Sequence, residues 1–125
     1  MSRMKIVTKS GDYFAELDDS DVSNAIWLSL PFRADINMMG GEIYFEMPLD
    51  ARNEGAERIT VLEKGDIAWW PAPGALCIFF GPTPLSGEDG KPVSPFPVIK
   101  IGHIDDCEGI GDSGDRQRIL LEYAF

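Results

Sequence analysis

The 125-residue sequence predicts a mainly β fold with one main helix, organised as a single domain over residues 1–125. Three observations predict it. Apolar residues recur at every second position in short stretches, Gly and Pro interrupt those stretches at close intervals, and only one segment carries helical spacing. A chain of this length can bury roughly two-thirds of its unfolded surface, so one core suffices.

Met4, Ile6 and Thr8 alternate with Lys5, Val7 and Lys9, and after Ser10-Gly11-Asp12 the run Tyr13 to Leu17 returns to complete an opening hairpin. Asp18-Asp19-Ser20-Asp21 then supplies an N-cap and an acidic first turn. Val22, Ala25, Ile26, Ser29 and Leu30 follow at helical spacing until Pro31, which predicts a helix of about three turns.

From Arg33 the period returns to two, with Ala34, Ile36 and Met38 opposite Arg33, Asp35 and Asn37. Gly40-Gly41 turns the chain into Ile43, Phe45 and Met47, which oppose Glu42, Tyr44 and Glu46. Residues 48–57 read as a loop and 59–62 as a short strand. The segment 65–84, GDIAWWPAPGALCIFFGPTP, holds two apolar strands, 67–70 and 75–80, around the turn Pro71-Ala72-Pro73-Gly74. Both are expected to face the core. A Pro/Gly-rich loop (85–97), a strand (98–104), an acidic Gly-rich loop (105–115) and a closing strand (117–125) complete the chain. About eight strands suggest a barrel, since closure removes exposed edges, although the same periodicity is compatible with a β-sandwich.

The formal charge of −10 opposes phosphate backbones and anionic membranes, which argues against nucleic-acid or membrane partners. No apolar run approaches the roughly 18 residues of a membrane helix, and MSRMKIVTKSG has no signal-peptide core, so the expected location is the cytoplasm. Cys77 and Cys107 have neither metal-ligand nor CxxC spacing, and no disulfide is expected. No metal or cofactor is expected either.

The helix SDVSNAIWLSLPF, the hairpin GGEIYFEMP, the segment GDIAWWPAPGALCIFFGPTP and then IKIGHI, in that order, resemble the short prokaryotic cyclophilin-like domain family. That family is mostly of unassigned function. The resemblance covers nearly the whole chain and implies a closed cyclophilin-like barrel of about eight strands. Cyclophilins are peptidyl-prolyl cis/trans isomerases, and Phe32-Arg33 through Gly40-Gly41 is similar to the strand that carries their catalytic arginine, although two residues shorter. The resemblance thus makes Arg33 the candidate catalytic residue, donating to the proline amide nitrogen. Cys77-Ile78-Phe79-Phe80 is similar to the strand that ends in paired phenylalanines and places Phe79 or Phe80 at a proline pocket. The glutamine before that pair is not preserved, and the histidine opening the next strand falls at Pro97.

Trp69 and Trp70 must point to opposite faces of their strand, which sends one of them toward a surface or a barrel mouth. A mouth formed by Trp69, Trp70, Phe79, Phe80, Pro82, Thr83 and Pro84, with Tyr44 on the neighbouring hairpin, is expected to hold a small molecule or a Pro-containing peptide. A binding module is the leading expectation, an isomerase using Arg33 the second and homo-oligomer assembly the third. Glu42, Tyr44 and Glu46 read as a solvated outer face, since carboxylates without partners normally lie there. His103, the sole histidine, reads as a strand-end residue bonded to backbone, and Asp105, Asp106, Glu108, Asp112 and Asp115 as a solvated loop.

Overall fold

A computed structural model describes residues 2–124. The elements, in order, are β1 (Ser2–Thr8), β2 (Gly11–Leu17), α1 (Asp21–Leu28), β3 (Phe32–Asp35), β4 (Asn37–Met39), β5 (Glu42–Glu46), β6 (Ile59–Val61), β7 (Asp66–Trp70), β8 (Ala75–Phe79), β9 (Val93–Ile104), a 3-10 turn (Ile110–Ser113) and β10 (Arg118–Tyr123). The expected closing strand is present, although its last residue, Phe125, lies outside the described residues. Among the described residues, no helix is long and apolar enough to cross a membrane.

All ten strands pair antiparallel, nine of them along the path β3-β10-β1-β2-β9-β7-β8-β5-β4, while β6 lies against β9. Among the described residues no ladder joins the two ends of that path, so the hydrogen-bonded sheet is open where closure was expected. Those ends are nevertheless consecutive in the chain. The expected single strand after Arg33 changes neighbours at buried Ile36, whose N–H donates to Gln117 O and whose carbonyl accepts from Arg116 N, and this produces two short strands. β3 pairs with β10 and β4 with β5.

The helix is shorter than expected, eight residues or just over two turns. Ser20 caps it by accepting from Ser23 N at 3.2 Å, and Asp18 in turn accepts from the hydroxyls of Ser20 and Ser23 at 2.6 Å each. Val22 and Ile26 enter the main core, while Trp27 meets the Tyr123 ring edge-on. β9 begins five residues earlier than expected because Val93 and Val98 pair with Val61 and Ile59 of β6.

The apolar run 75–80 is explained by β8 being covered on both faces. Leu76 and Ile78 join Ile43, Phe45, Ile67 and Trp69 in the main core. Cys77 and Phe79 point the other way, into a second cluster with Leu62, Ala68 and Val98, bordered by Tyr44, Ile59 and Trp70. Such double burial matches the expectation that 67–70 and 75–80 are interior strands.

The Gly40-Gly41 turn holds the segment after β8 against the hairpin. Gly41 N donates to Pro82 O at 2.7 Å and Phe80 N to Gly41 O at 2.8 Å. A Cβ at Gly41 would stand 2.1 Å from Gly81 O, so the two backbones meet where no side chain fits. Thr83 then fastens the next loop: its hydroxyl donates to Val93 O at 2.6 Å and accepts from Leu85 N and Val93 N.

Candidate functional site

On the outer face of the sheet, the second cluster leaves a cavity of about 90 Å³ lined by Met39 (β4), Glu42 and Tyr44 (β5), Trp70 (β7), Cys77 (β8) and residues Ser94 to Phe96 and Val98 of β9. Register explains the gathering. Tyr44 stands opposite Cys77, Glu42 opposite Phe79 and Ala68 opposite Cys77, so these side chains rise on one face within reach of each other. β9 crosses above them. Ser94 accepts from Phe96 N and donates to Phe96 O, a local turn that lays the Phe96 ring over Trp70.

The expected solvated face Glu42-Tyr44-Glu46 is corrected at its first residue. Glu46 is exposed and Tyr44 half-buried, but Glu42 is only 3% exposed and its Oε1 has no hydrogen-bond partner among the described residues. No cationic side chain lines the cavity. Burial pushes the Glu42 carboxyl above its usual range, while a hydrogen bond with the Cys77 thiol acts in the opposite direction. The Cys77 thiol is itself raised far above its usual value by burial and by the neighbouring carboxylate. A thiol so protonated is a poor nucleophile. The chemistry of the site is thus an apolar, aromatic-walled recess with one unsatisfied acidic oxygen.

The other residues singled out in the sequence are dispersed. Trp69 and Phe79 are buried on opposite faces of the sheet, Trp69 in the main core and Phe79 in the outer cluster. Trp70 is the half-exposed member of the tryptophan pair, as alternation requires. Phe80 packs against Gly111 of the acidic loop, Pro82 and Pro84 are exposed at the Gly40-Gly41 turn, and the Thr83 hydroxyl is occupied by β9 backbone. Arg33 is exposed on β3, opposite Leu120 of β10, and does not line the cavity. Arg33 and the Cys77 to Phe80 strand therefore do not meet there. Of the expected binding residues, Tyr44 and Trp70 line the cavity, and Phe79 lies in the cluster against which they pack.

Glu42, Met39, Cys77, Ser94 and Phe96 are cavity residues that alternation alone did not reveal. A signal was present: a β8 run apolar on both faces requires a cover on the outer face, and Glu42 shares that face.

Larger, more open hollows occur elsewhere, and in the one of about 330 Å³ lined by Glu16, Asp18, Lys100 and His103 the polar side chains are already engaged. His103 bonds not to backbone but to the carboxylate of Asp66, Nδ1 to Oδ1 at 3.0 Å. Lys100 Nζ reaches the same oxygen at 3.1 Å, and Glu63 N donates to Asp66 Oδ2 at 2.8 Å. Asp66, 1% exposed, is thereby satisfied and ties β7 to β9.

Fold and recess together define a β-rich domain with one covered cavity on the outer face of its sheet. The cyclophilin-like family matches residues 2–122, and the chain belongs to that family. The solution structure of a hypothetical protein from Archaeoglobus fulgidus is similar to it, with 31% identity and a TM-score of 0.77 over 98% of this chain and 95% of the other. No curated protein matches the chain.

Proposed function

We propose that the domain is a small-ligand-binding module whose site is the outer-face cavity between Glu42, Tyr44, Trp70 and Phe96. The observation that carries this reading is the unpartnered Oε1 of Glu42 in an otherwise apolar recess. An unpaired buried oxygen costs stability, whereas a recess with few, convergent polar groups is the usual form of a ligand site. We further read the frame as a barrel whose seam is Ile36, because the two ends of the sheet path are joined through that single residue.

The test is a fragment screen read by thermal shift and tryptophan fluorescence, using small amines, alcohols, carboxylic acids and Pro-containing dipeptides at millimolar concentration. Saturable changes that disappear in Phe96→Ala, with Trp27→Phe responding as wild type, are the expected result. An absence of saturable change with every fragment class overturns the reading.

A further inference from the structure

Glu42 restricts what can fill the cavity. Its Oε1 can be satisfied only by a donor, and although the Cys77 thiol bonds the carboxylate and Tyr44 and Trp70 carry an O–H and an N–H, none of them reaches that oxygen. Tyr44, Trp70 and Phe96 contribute aromatic surface, Met39 a thioether, Val98 and Pro95 aliphatic surface, and the Ser94 hydroxyl is engaged with Phe96 backbone. Aromatic faces beside a carboxylate attract a cation twice, through the ring quadrupoles and through the opposite charge.

The surface outside repeats that preference. Tyr44 and Trp70 also form one wall of a more open groove of about 290 Å³, which carries the exposed carboxylates Asp35 and Glu46 and no lysine or arginine in its lining. Asp35 is partly offset by Arg118, at 3.2 Å across exposed surface, where such pairs are weak. A chain of net charge −10 concentrates cations around it.

Building on the binding reading, we infer that the cavity takes an alkylammonium group, its nitrogen against Glu42 Oε1 and its carbon stem between Tyr44, Trp70 and Phe96. The volume limits the buried part to a few non-hydrogen atoms. The group is either a free small amine or the end of a longer molecule leaving along the acidic groove. Binding the cation requires ionised Glu42, so affinity rises with pH as the carboxyl loses its proton. The ionisable groups facing it are Cys77 from β8 and Tyr44 from β5; β4, β7 and β9 bring none to the cavity.

The experiment is an NMR titration of the Trp70 indole N–H with n-propylammonium, 1-propanol and Nα-acetyl-lysine methylamide, at pH 5 and pH 8. Propylammonium is expected to bind saturably, at least tenfold more tightly than 1-propanol and more tightly at pH 8. Glu42→Gln is expected to remove that preference while keeping a native amide spectrum. Binding of the lysine derivative identifies the end of a larger molecule as occupant, and binding of propylammonium alone identifies a free amine. Equal binding of 1-propanol and propylammonium, or an unchanged preference in Glu42→Gln, overturns the cation assignment and leaves the binding reading standing. If none of the three shifts the indole resonance, and the wider screen is also silent, both fall. Should Glu42→Gln perturb the spectrum, Tyr44→Leu, which removes an aromatic wall and keeps the carboxylate, is expected to weaken propylammonium binding more than 1-propanol binding, and an equal loss counts against the cation.

Discussion

The Trp70 indole and the Phe96 ring lie face to face, with centroids 4.6 Å apart and planes 11° from parallel. One ring comes from β7 and the other from the Pro-flanked start of β9, so the stack fastens a loop-derived cover onto the sheet. Phe96 is 48% exposed, and its loss should be tolerated by the frame. Phe96→Ala is expected to cost about 0.5–1.5 kcal/mol in denaturant titration and to red-shift tryptophan emission as water reaches Trp70. Unchanged emission would show that the stack does not form in solution.

Glu42 makes stability depend on pH in a stated direction. Because its carboxyl titrates higher in the folded chain than in the unfolded one, the folded state holds its proton longer. The associated stability is fully present below the ordinary glutamate range and is lost as pH rises through the folded value. Denaturant midpoints of wild type should therefore fall more steeply than those of Glu42→Gln between the ordinary glutamate range and neutrality, with the variant the more stable at pH 7. Parallel pH profiles for the two proteins would contradict the burial of this group.

Gly41 has no room for a side chain. Gly41→Ala places a carbon about 2 Å from the Gly81 carbonyl, and relief requires the hairpin to part from the segment after β8. A loss of about 1–3 kcal/mol or more is expected. Gly87→Ala, where no atom lies within 4 Å and φ is not positive, is the matched control and should stay near wild type. Chemical denaturation of both variants makes the comparison.

Asp66 collects three donors on one buried carboxylate. Asp66→Ala leaves Glu63 N–H without its acceptor and removes a link between β7 and β9, while Lys100 and His103 can turn to solvent. The expected cost is about 1–3 kcal/mol by denaturation, larger than that of His103→Ala. The reverse order would mean that the histidine, not the aspartate, organises the network.

Both cysteines are free and buried, and burial raises both thiols. Iodoacetamide at pH 8 should leave them unmodified in the native protein over times that fully alkylate the unfolded chain, with mass spectrometry reading the count. Rapid native labelling of Cys77 would place it outside the outer cluster.

Strand alternation and Gly/Pro spacing made most of the architecture legible, because the opening hairpin, the 42–46 strand and the pair 67–70 and 75–80 are local patterns. The break at Ile36 was not legible, since two ends of a sheet meeting through one residue depend on long-range pairing with Gln117 and Arg116. Strand parity sent one of Trp69 and Trp70 outward without saying which, and the structure makes it Trp70, beside Tyr44 in the cavity wall. Glu42 was misplaced because alternation names a shared face without saying what covers it. The cover comes from residues 94–98, about fifty positions away, and the Asp66–His103 contact has the same remote origin.

The double burial of β8 has an evolutionary consequence. Its inward side chains belong to the large core and its outward ones to a small cluster roofed by β6 and the start of β9, so the two can vary on separate accounts. Substitutions around Ser94 to Val98 reshape the roof, and with it the cavity, while the inward half of β8 keeps the frame folded. A lineage can in this way remodel the outer cavity without passing through an unfolded ancestor.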